Sequence, residues 1–295
     1  MIAETNYCAQ AVDDLVKHAA SLIPNTENNL LGKICRTRAT QIESAIKFRF
    51  PRGGDLLSWH SSKSGVDIKS LIESYATPFR LPFPVVAIEF QIESKASHSG
   101  LTFDSVIAVA EQIEERITVS RLIRMKHQNH DDVWIPGLHE AVLSPEGIVE
   151  ARVYESLQTD ASNNDEDRTN SMYQELGFAL WAVIELISAL SCRNVKQRVC
   201  HEPVALNKKR IKNGNRPFYS YRILEIDEGK PATEPGAGGS HASPRVHLRR
   251  GHIRRLPDRN VWVNACVVGN KALGMVSKDY AFKAGAGERI AESMH

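Results

Sequence analysis

The amino-acid sequence predicts an α+β fold, with N-terminal helices, a central antiparallel sheet with a buried helix, and a basic C-terminal β unit. Three observations support this prediction. Apolar residues recur at helical spacing near the start of the chain, alternate with polar residues from position 86, and fill most of positions 176–190. We therefore divide the 295 residues into three regions, 1–80, 81–192 and 193–295.

The N-terminal region is predicted to be helical. An apolar stripe at a spacing of three and four residues runs through positions 9–23, and Pro24 ends it. Its members are Val12, Leu15, Val16, Ala19 and Ile23. We expect further helices at 36–48 and 67–75, separated by segments rich in Pro, Gly and Ser.

The central region begins with a clear strand pattern. Val86, Ile88, Phe90 and Ile92 alternate with Ala87, Glu89, Gln91 and Glu93, which predicts a strand with one buried face. Further strands are expected at 104–110, 116–124, 138–143 and 147–156, and their short links favour antiparallel pairing. Two carboxylates on the outer face suit a metal-dependent nuclease, but we expect them to be solvated because no converging Asp or Lys accompanies them.

A polar, acidic loop is predicted at 158–170, followed by a helix from Ser171 to about Ser191. The apolar part of this helix is too short to cross a bilayer and contains Glu185, so we expect it to lie in the core. No signal peptide is recognisable at the N-terminus, and the five cysteines show no CxxC spacing. These features favour a cytoplasmic protein with reduced thiols and no membrane partner.

Charge is distributed unevenly along the chain. From Arg193 to Arg259 there are sixteen Lys and Arg against six Asp and Glu, a net charge of +10, whereas the whole chain carries +2 and the remainder therefore −8. This asymmetry indicates either an anionic partner for the basic part or two lobes that attract each other.

The basic charge is densest between His241 and Arg255, which contain three His and five Arg and no acid. Alternation predicts a strand that starts at Arg245, a bulge at Arg250-Gly251, and a hairpin closed by the turn LPDRN before VWVNACVV. Guanidinium groups bind phosphate oxygens in a bidentate manner, so nucleic-acid binding is the first hypothesis. The residues proposed for it are Arg245, Arg249, Arg250, Arg254, Arg255, Lys208, Lys209, Arg210 and the stacking residue Trp262, with Phe218, Tyr219 and Tyr221 as further stacking candidates.

RNA or single-stranded DNA is favoured over duplex, because no recognition helix stands out. Three alternatives are open. A metal-independent ribonuclease would use His241, His247 and His252 as acid and base. An inhibitor would cover an acidic surface of a host or defence protein with its basic face. A solvated basic strand that faces the acidic lobe of the protein or the acidic loop at Asp165–Asp167 is the third.

Metal and cofactor sites are not expected. Arginines flank the three histidines and would repel a cation, and Cys192, Cys200 and His201 lack the spacing of a zinc knuckle. Nucleotide-binding and hydrolase motifs are missing from the sequence. A further set of polar residues is assigned to a loop between strands: His127, His130, Asp131, Asp132 and His139.

Three segments resemble uncharacterised bacteriophage-encoded proteins. They are RLPFPVVAIEF at 80–90, LNKKRIKNGNRPFYSY at 206–221, and the segment at 238–280 with the pattern HxSPRxHxRRGHxRR…VWV. The resemblance covers about a quarter of the chain and assigns no catalytic residue. It implies a phage or prophage origin, the host cytoplasm as the working compartment, and a partner that is host nucleic acid or a host factor.

Overall fold

The computed structural model describes most of the chain between residues 6 and 275. The described residues are 6–21, 30–54, 56, 79–96, 102–127, 130–145, 149–153, 165–227, 245–249, 252–263, 266–268 and 270–275. The helix predicted at 67–75 lies outside them.

The chain folds into three layers, with one large sheet between two layers of helices. Helices α1 (Tyr7–Ser21) and α2 (Leu30–Ser44) cover one face of the sheet, and α3 (Asp165–Leu190) covers the other. Each interface has its own apolar core. The α+β class and the N-terminal helices are therefore confirmed, and the described residues contain no helix that is both long and apolar enough to span a bilayer.

The large sheet has nine strands in the order β7-β6-β4-β3-β2-β1-β9-β8, with β5 paired to β4 beside this path. The strands are β1 (Ile46–Arg49), β2 (Val85–Ala96), β3 (Thr102–Ile113), β4 (Arg116–His127), β5 (His130–Pro136), β6 (His139–Leu143), β7 (Val149–Val153), β8 (Val195–Cys200) and β9 (Tyr221–Ile226). All three regions predicted from the sequence contribute strands to it.

The sheet is mixed, and the prediction of a purely antiparallel sheet is wrong at one strand. β1 runs parallel to both of its neighbours, β2 and β9. A parallel pair needs a long connection that returns the chain to the same end of the sheet, and residues 50–84 provide one between β1 and β2. The helix predicted at 36–48 accordingly ends at Ser44, because IKFR pairs with β2 instead of continuing the helix.

Strand β2 has two buried faces, where the sequence predicted one. Val86, Ile88 and Phe90 face the core under α3, as expected, but Ala87 and Glu89 are 0% and 1% exposed on the other face. The helices α1 and α2 pack over that second face. The expectation that Glu89 is solvated is therefore wrong, since it depends on a tertiary layer that strand periodicity does not reveal.

Two segments assigned to loops are regular structure. The polar residues around His130 form β5, which pairs with β4 in a hairpin that includes a His127–His130 pair. The acidic segment 158–170 becomes helical at Asp165, because α3 begins six residues before the predicted Ser171. The remaining described strands of the central region lie where they were predicted.

The C-terminal part adds two small sheets. β10 (Arg245–Arg249), β13 (Cys266–Val268) and β14 (Asn270–Met275) form one, and β11 (His252–Leu256) with β12 (Arg259–Val263) forms a hairpin. This hairpin and its turn at Pro257-Asp258 confirm the prediction for LPDRN. The bulge predicted at Arg250-Gly251 lies outside the described residues.

Candidate functional site

Helix α4 (Val204–Lys212) lies on the surface and is held by two polar side chains. Asn207 is buried; its Nδ2 donates to the Phe218 carbonyl at 2.9 Å, and its Oδ1 accepts from the Phe218 amide at 2.7 Å. Arg210 Nε donates to the Arg216 carbonyl at 2.7 Å, and its guanidinium lies 4.1 Å from the centre of the Phe218 ring. Both anchors lie on one side of the helix, three residues apart.

The opposite side of α4 presents lysines flanked by apolar side chains. At 100° per residue, Lys208, Lys209 and Lys212 point away from the anchored side, and all three are exposed. Val204 and Ile211 flank this stripe on one side and Leu206 on the other, with exposures of 62%, 60% and 45%. We call these six residues the α4 surface. None of its lysines forms an ion pair with any residue in the described ranges.

The segment under α4 is clamped to the N-terminal helices. Arg216 donates to Asp13 of α1 at 2.9 Å and to Glu43 of α2 at 2.5 Å. Asn6 forms two hydrogen bonds with the backbone of Tyr219, one as donor at 2.9 Å and one as acceptor at 3.2 Å. The segment under α4, which we call its base, is therefore fixed to α1 and α2.

A buried carboxylate lies beneath this base. Glu89 accepts hydrogen bonds from the backbone amides of Tyr7 and Cys8 at 2.9 and 3.4 Å, from the Tyr221 hydroxyl at 2.5 Å, and from Arg49 Nε at 3.3 Å. Burial raises the pKa of Glu89 to about 7, against the opposing effect of the hydrogen bond from Tyr221 and the charge of Arg49. Burial also raises the pKa of the Cys8 thiol, which favours its neutral form.

An open cleft of about 250 Å³ lies where the N-terminal ends of β1 and β9 meet. Lys47 lines it, but its Nζ donates to the carbonyls of Glu43 and Ala45 at 3.0 and 2.7 Å and lies 4.1 Å from the centre of the Tyr219 ring. Burial lowers the pKa of Lys47. Its interactions tie β1 to the α2 terminus, which makes it structural.

The β11–β12 hairpin, which we call the ribbon, is fixed to the main body along one face. Ile253 pairs with Trp262, and both pack against the core under α3. Asn194 bonds the backbone of Trp262 twice, at 2.9 and 2.8 Å, and the Arg193 amide donates to the Asn260 carbonyl at 2.9 Å. The inner face of the ribbon is thus continuous with the protein interior.

The outer face of the ribbon carries arginine. Alternation places Arg254 on the face opposite Ile253, and Arg259 lies on that same outer face as the diagonal neighbour of Arg254 across the hairpin. Arg193 is exposed at the foot of the ribbon. We call these three residues the ribbon surface. Arg259 bonds its neighbour Asp258 at 2.7 Å, while Arg193 and Arg254 have no ion-pair partner within the part of the chain that the structure describes.

The residues predicted for nucleic-acid binding fall on three elements. Lys208 and Lys209 are exposed on α4, whereas Arg210 folds back onto Phe218. Arg254 and Arg255 are exposed on β11. Arg245, His247 and Arg249 belong to β10 and His252 to β11, with only their backbones described, and His241 and Arg250 lie outside the described residues.

The candidate stacking rings are engaged within the protein. Trp262 is 6% exposed in the core and Tyr221 is 3% exposed. Phe218 lies under Arg210, and Tyr219 lies under Lys47. Within the described ranges, no group of three or more His, Cys, Asp and Glu side chains is arranged to hold a metal ion.

Sequence reasoning missed the apolar half of the α4 surface. Val204, Leu206 and Ile211 were not singled out, and neither α4 nor β8 was predicted. Val204 and Ile211 are seven residues apart, a helical spacing that places both on the same side of the lysines and would have revealed the mixed surface.

Comparison with known protein families identifies the family to which this chain belongs. The model of the AcrVA2-like family, described as the anti-CRISPR type V subtype A2 family, matches residues 67–257, which are 191 of the 295. The chain belongs to this family. The match confirms the bacteriophage affiliation and identifies the chain as a member of an anti-CRISPR family. It includes α4 and strand β11 of the ribbon but excludes β12, α1 and α2. No curated protein and no solved structure matches the chain.

Proposed function

We propose that this protein inhibits a host CRISPR defence in the host cytoplasm by binding one of that system's proteins through the α4 surface. The observation that supports this most strongly is the exposure of seven of the nine α4 residues. Three of them are large and apolar, and three are lysines that form no ion pair with any residue that the structure describes. The partner surface is acidic and contains apolar groups that receive Val204, Leu206 and Ile211.

The apolar side chains favour a protein partner over nucleic acid on this surface. Large apolar side chains that are exposed together on one element mark protein interaction sites, and here they border the lysine stripe on both sides. Burial of each Val, Leu or Ile side chain contributes about 1.5–3 kcal/mol when it is complete. A phosphate backbone offers nothing comparable to these side chains, whereas an acidic protein surface satisfies the lysines as well.

The firm base of α4 supports the same role. Asn207, Arg210 and Arg216 fix the helix and the segment beneath it before any partner arrives. A surface that is ordered in the free protein loses less conformational entropy on binding. The α4 surface therefore suits rigid docking of a helix into a groove or onto a flat epitope.

The test is a titration of the purified effector protein of a type V CRISPR system, free of nucleic acid, by calorimetry. We expect Ile211→Ser to weaken binding about tenfold, because it removes the apolar contact on one side of the lysine stripe. The matched control is Ile113→Ser, because Ile113 is 54% exposed against 60% for Ile211 and lies at the β3–β4 turn. It should change affinity by less than about twofold.

A second pair of variants tests the charge. Lys208→Glu/Lys209→Glu should abolish measurable binding and inhibition of the CRISPR system in cells. Lys17→Glu/Lys33→Glu makes the same charge change on α1 and α2, outside the matched segment, and should leave both intact. Equal losses from the two charge reversals would overturn the assignment of the surface.

A further inference from the structure

The ribbon has two unlike faces. Its inner face enters the core through Ile253 and Trp262, and the Arg255–Asn260 pair lies beside them on that face. Its outer face carries Arg254 and Arg259, which pair with the half-buried Val261 and Leu256. None of the large apolar side chains exposed in the described ranges lies on the ribbon. The ribbon surface therefore lacks the feature that marks the α4 surface as a protein-binding site.

The net charge of this part of the chain is strongly positive. Residues 245–259 contain six Arg and one Asp, a net charge of +5. By contrast, the two basic residues of neighbouring β8 are paired with acids, Lys196 with Asp227, which directly follows β9, at 2.6 Å and Arg198 with Glu225 of β9. The basic charges of the edge strand β8 are thus neutralised by ion pairs, whereas the adjacent ribbon has a positive net charge.

We propose that the ribbon surface binds the phosphate backbone of duplex DNA, with the β11–β12 ribbon lying along the major groove. Arg193, Arg254 and Arg259 contact phosphate oxygens, for which the planar guanidinium is the preferred side chain. The site is separate from the α4 surface and goes beyond the inhibition proposed above.

The shape of the ribbon favours duplex DNA. The major groove of B-DNA is about 12 Å wide and admits a two-stranded β-ribbon. Two strands about 5 Å apart, with side chains on either side, fill such a groove. The major groove of A-form RNA is too narrow for the same insertion.

The aromatic residues disfavour a single strand. Proteins that bind single strands stack the bases on exposed rings beside a basic groove. Here Trp262 and Tyr221 are buried, and Phe218 and Tyr219 are covered by Arg210 and Lys47. Because these rings are not available for stacking bases, we expect the ribbon surface to contact phosphates. A duplex presents two phosphate strands at a fixed separation.

The experiment measures fluorescence anisotropy with three probes across a salt series. They are a duplex DNA of about two helical turns, one of its single strands, and a duplex RNA of the same length. The wild type should bind duplex DNA most tightly. Arg254→Gln/Arg259→Gln should raise the Kd for duplex DNA about tenfold or more and reduce the slope of log affinity against log salt by about 1.8.

The matched control is Lys208→Gln/Lys209→Gln, which removes the same charge from the α4 surface. It should retain duplex-DNA affinity within about twofold, since α4 does not contact the DNA. The thermal unfolding midpoint of each variant shows that it is folded. Equal losses in the two variants, no binding at low salt, or tighter binding of either other probe would each overturn the proposal.

Discussion

The α4 surface and the ribbon surface are both basic and both exposed, yet their side chains differ in kind. The first combines three lysines with three large apolar side chains that are exposed, and the second consists of arginines whose apolar neighbours on the ribbon are half-buried. Net charge alone does not separate them. The identity of the cation and of the groups beside it separates a surface suited to protein from one suited to phosphate.

The two surfaces are also attached to the molecule in different ways. α4 is held by hydrogen bonds from Asn207 and Arg210 to the segment before β9, and most of its own side chains stay in solvent. The ribbon is held by Ile253 and Trp262, which belong to the core under α3. Changes at the α4 anchor should therefore remain local, whereas changes at the ribbon anchor should affect the whole fold.

The largest expected effect contrasts these two anchors. Trp262→Ala should lower the free energy of unfolding by about 3–5 kcal/mol, because it empties a large volume in the core. Asn207→Ala should cost about 1–3 kcal/mol, because it leaves the Phe218 amide and carbonyl without partners. Urea denaturation of both variants measures the difference, and an equal or reversed order would contradict the attachment described for the two surfaces.

The next effect concerns the base under α4. The pKa of Glu89 is about 7 in the folded protein and 4.5 ordinarily, so between these values the folded state binds more protons than the unfolded chain. Stability should consequently fall as pH rises through this window, by at most about 3 kcal/mol. Glu89→Gln should flatten this part of the profile, measured as urea midpoints from pH 5 to 8.

The ribbon supplies the control for this pH dependence. Trp262→Ala leaves Glu89 and its partners in place, so that variant should keep the slope of the wild type while losing stability at every pH. A slope that is unchanged by Glu89→Gln would show that another group titrates in the window.

Local pattern predicted much of the fold. Alternating apolar residues located β2, β3 and β4, and the turn LPDRN located the ribbon, because these elements are specified by neighbours in sequence. The burial of Glu89 and the parallel strand β1 were not predictable in this way. The first depends on how α1 and α2 pack against the sheet, and the second on the pairing of β1 with β2 and β9, which is tertiary information.

In the candidate site, too, some features were predictable from the sequence and others depend on tertiary packing. The cationic residues were recognisable in the sequence, since Lys208, Lys209 and Arg254 are exposed as charge runs usually are. The burial of Trp262 was not recognisable in the sequence. A side chain on a strand can face the core or the solvent, and tertiary packing decides between the two. The burial of Trp262 in the core moves the expected nucleic-acid partner from single strand to duplex.

The most direct test of the central claim exposes both surface variants to both partners. Lys208→Gln/Lys209→Gln and Arg254→Gln/Arg259→Gln are each titrated with the purified effector protein and with duplex DNA. We predict a crossed result, in which the α4 variant loses the protein and keeps the DNA, and the ribbon variant loses the DNA and keeps the protein. Parallel loss of both partners in either variant would show one shared basic surface and contradict the division into two.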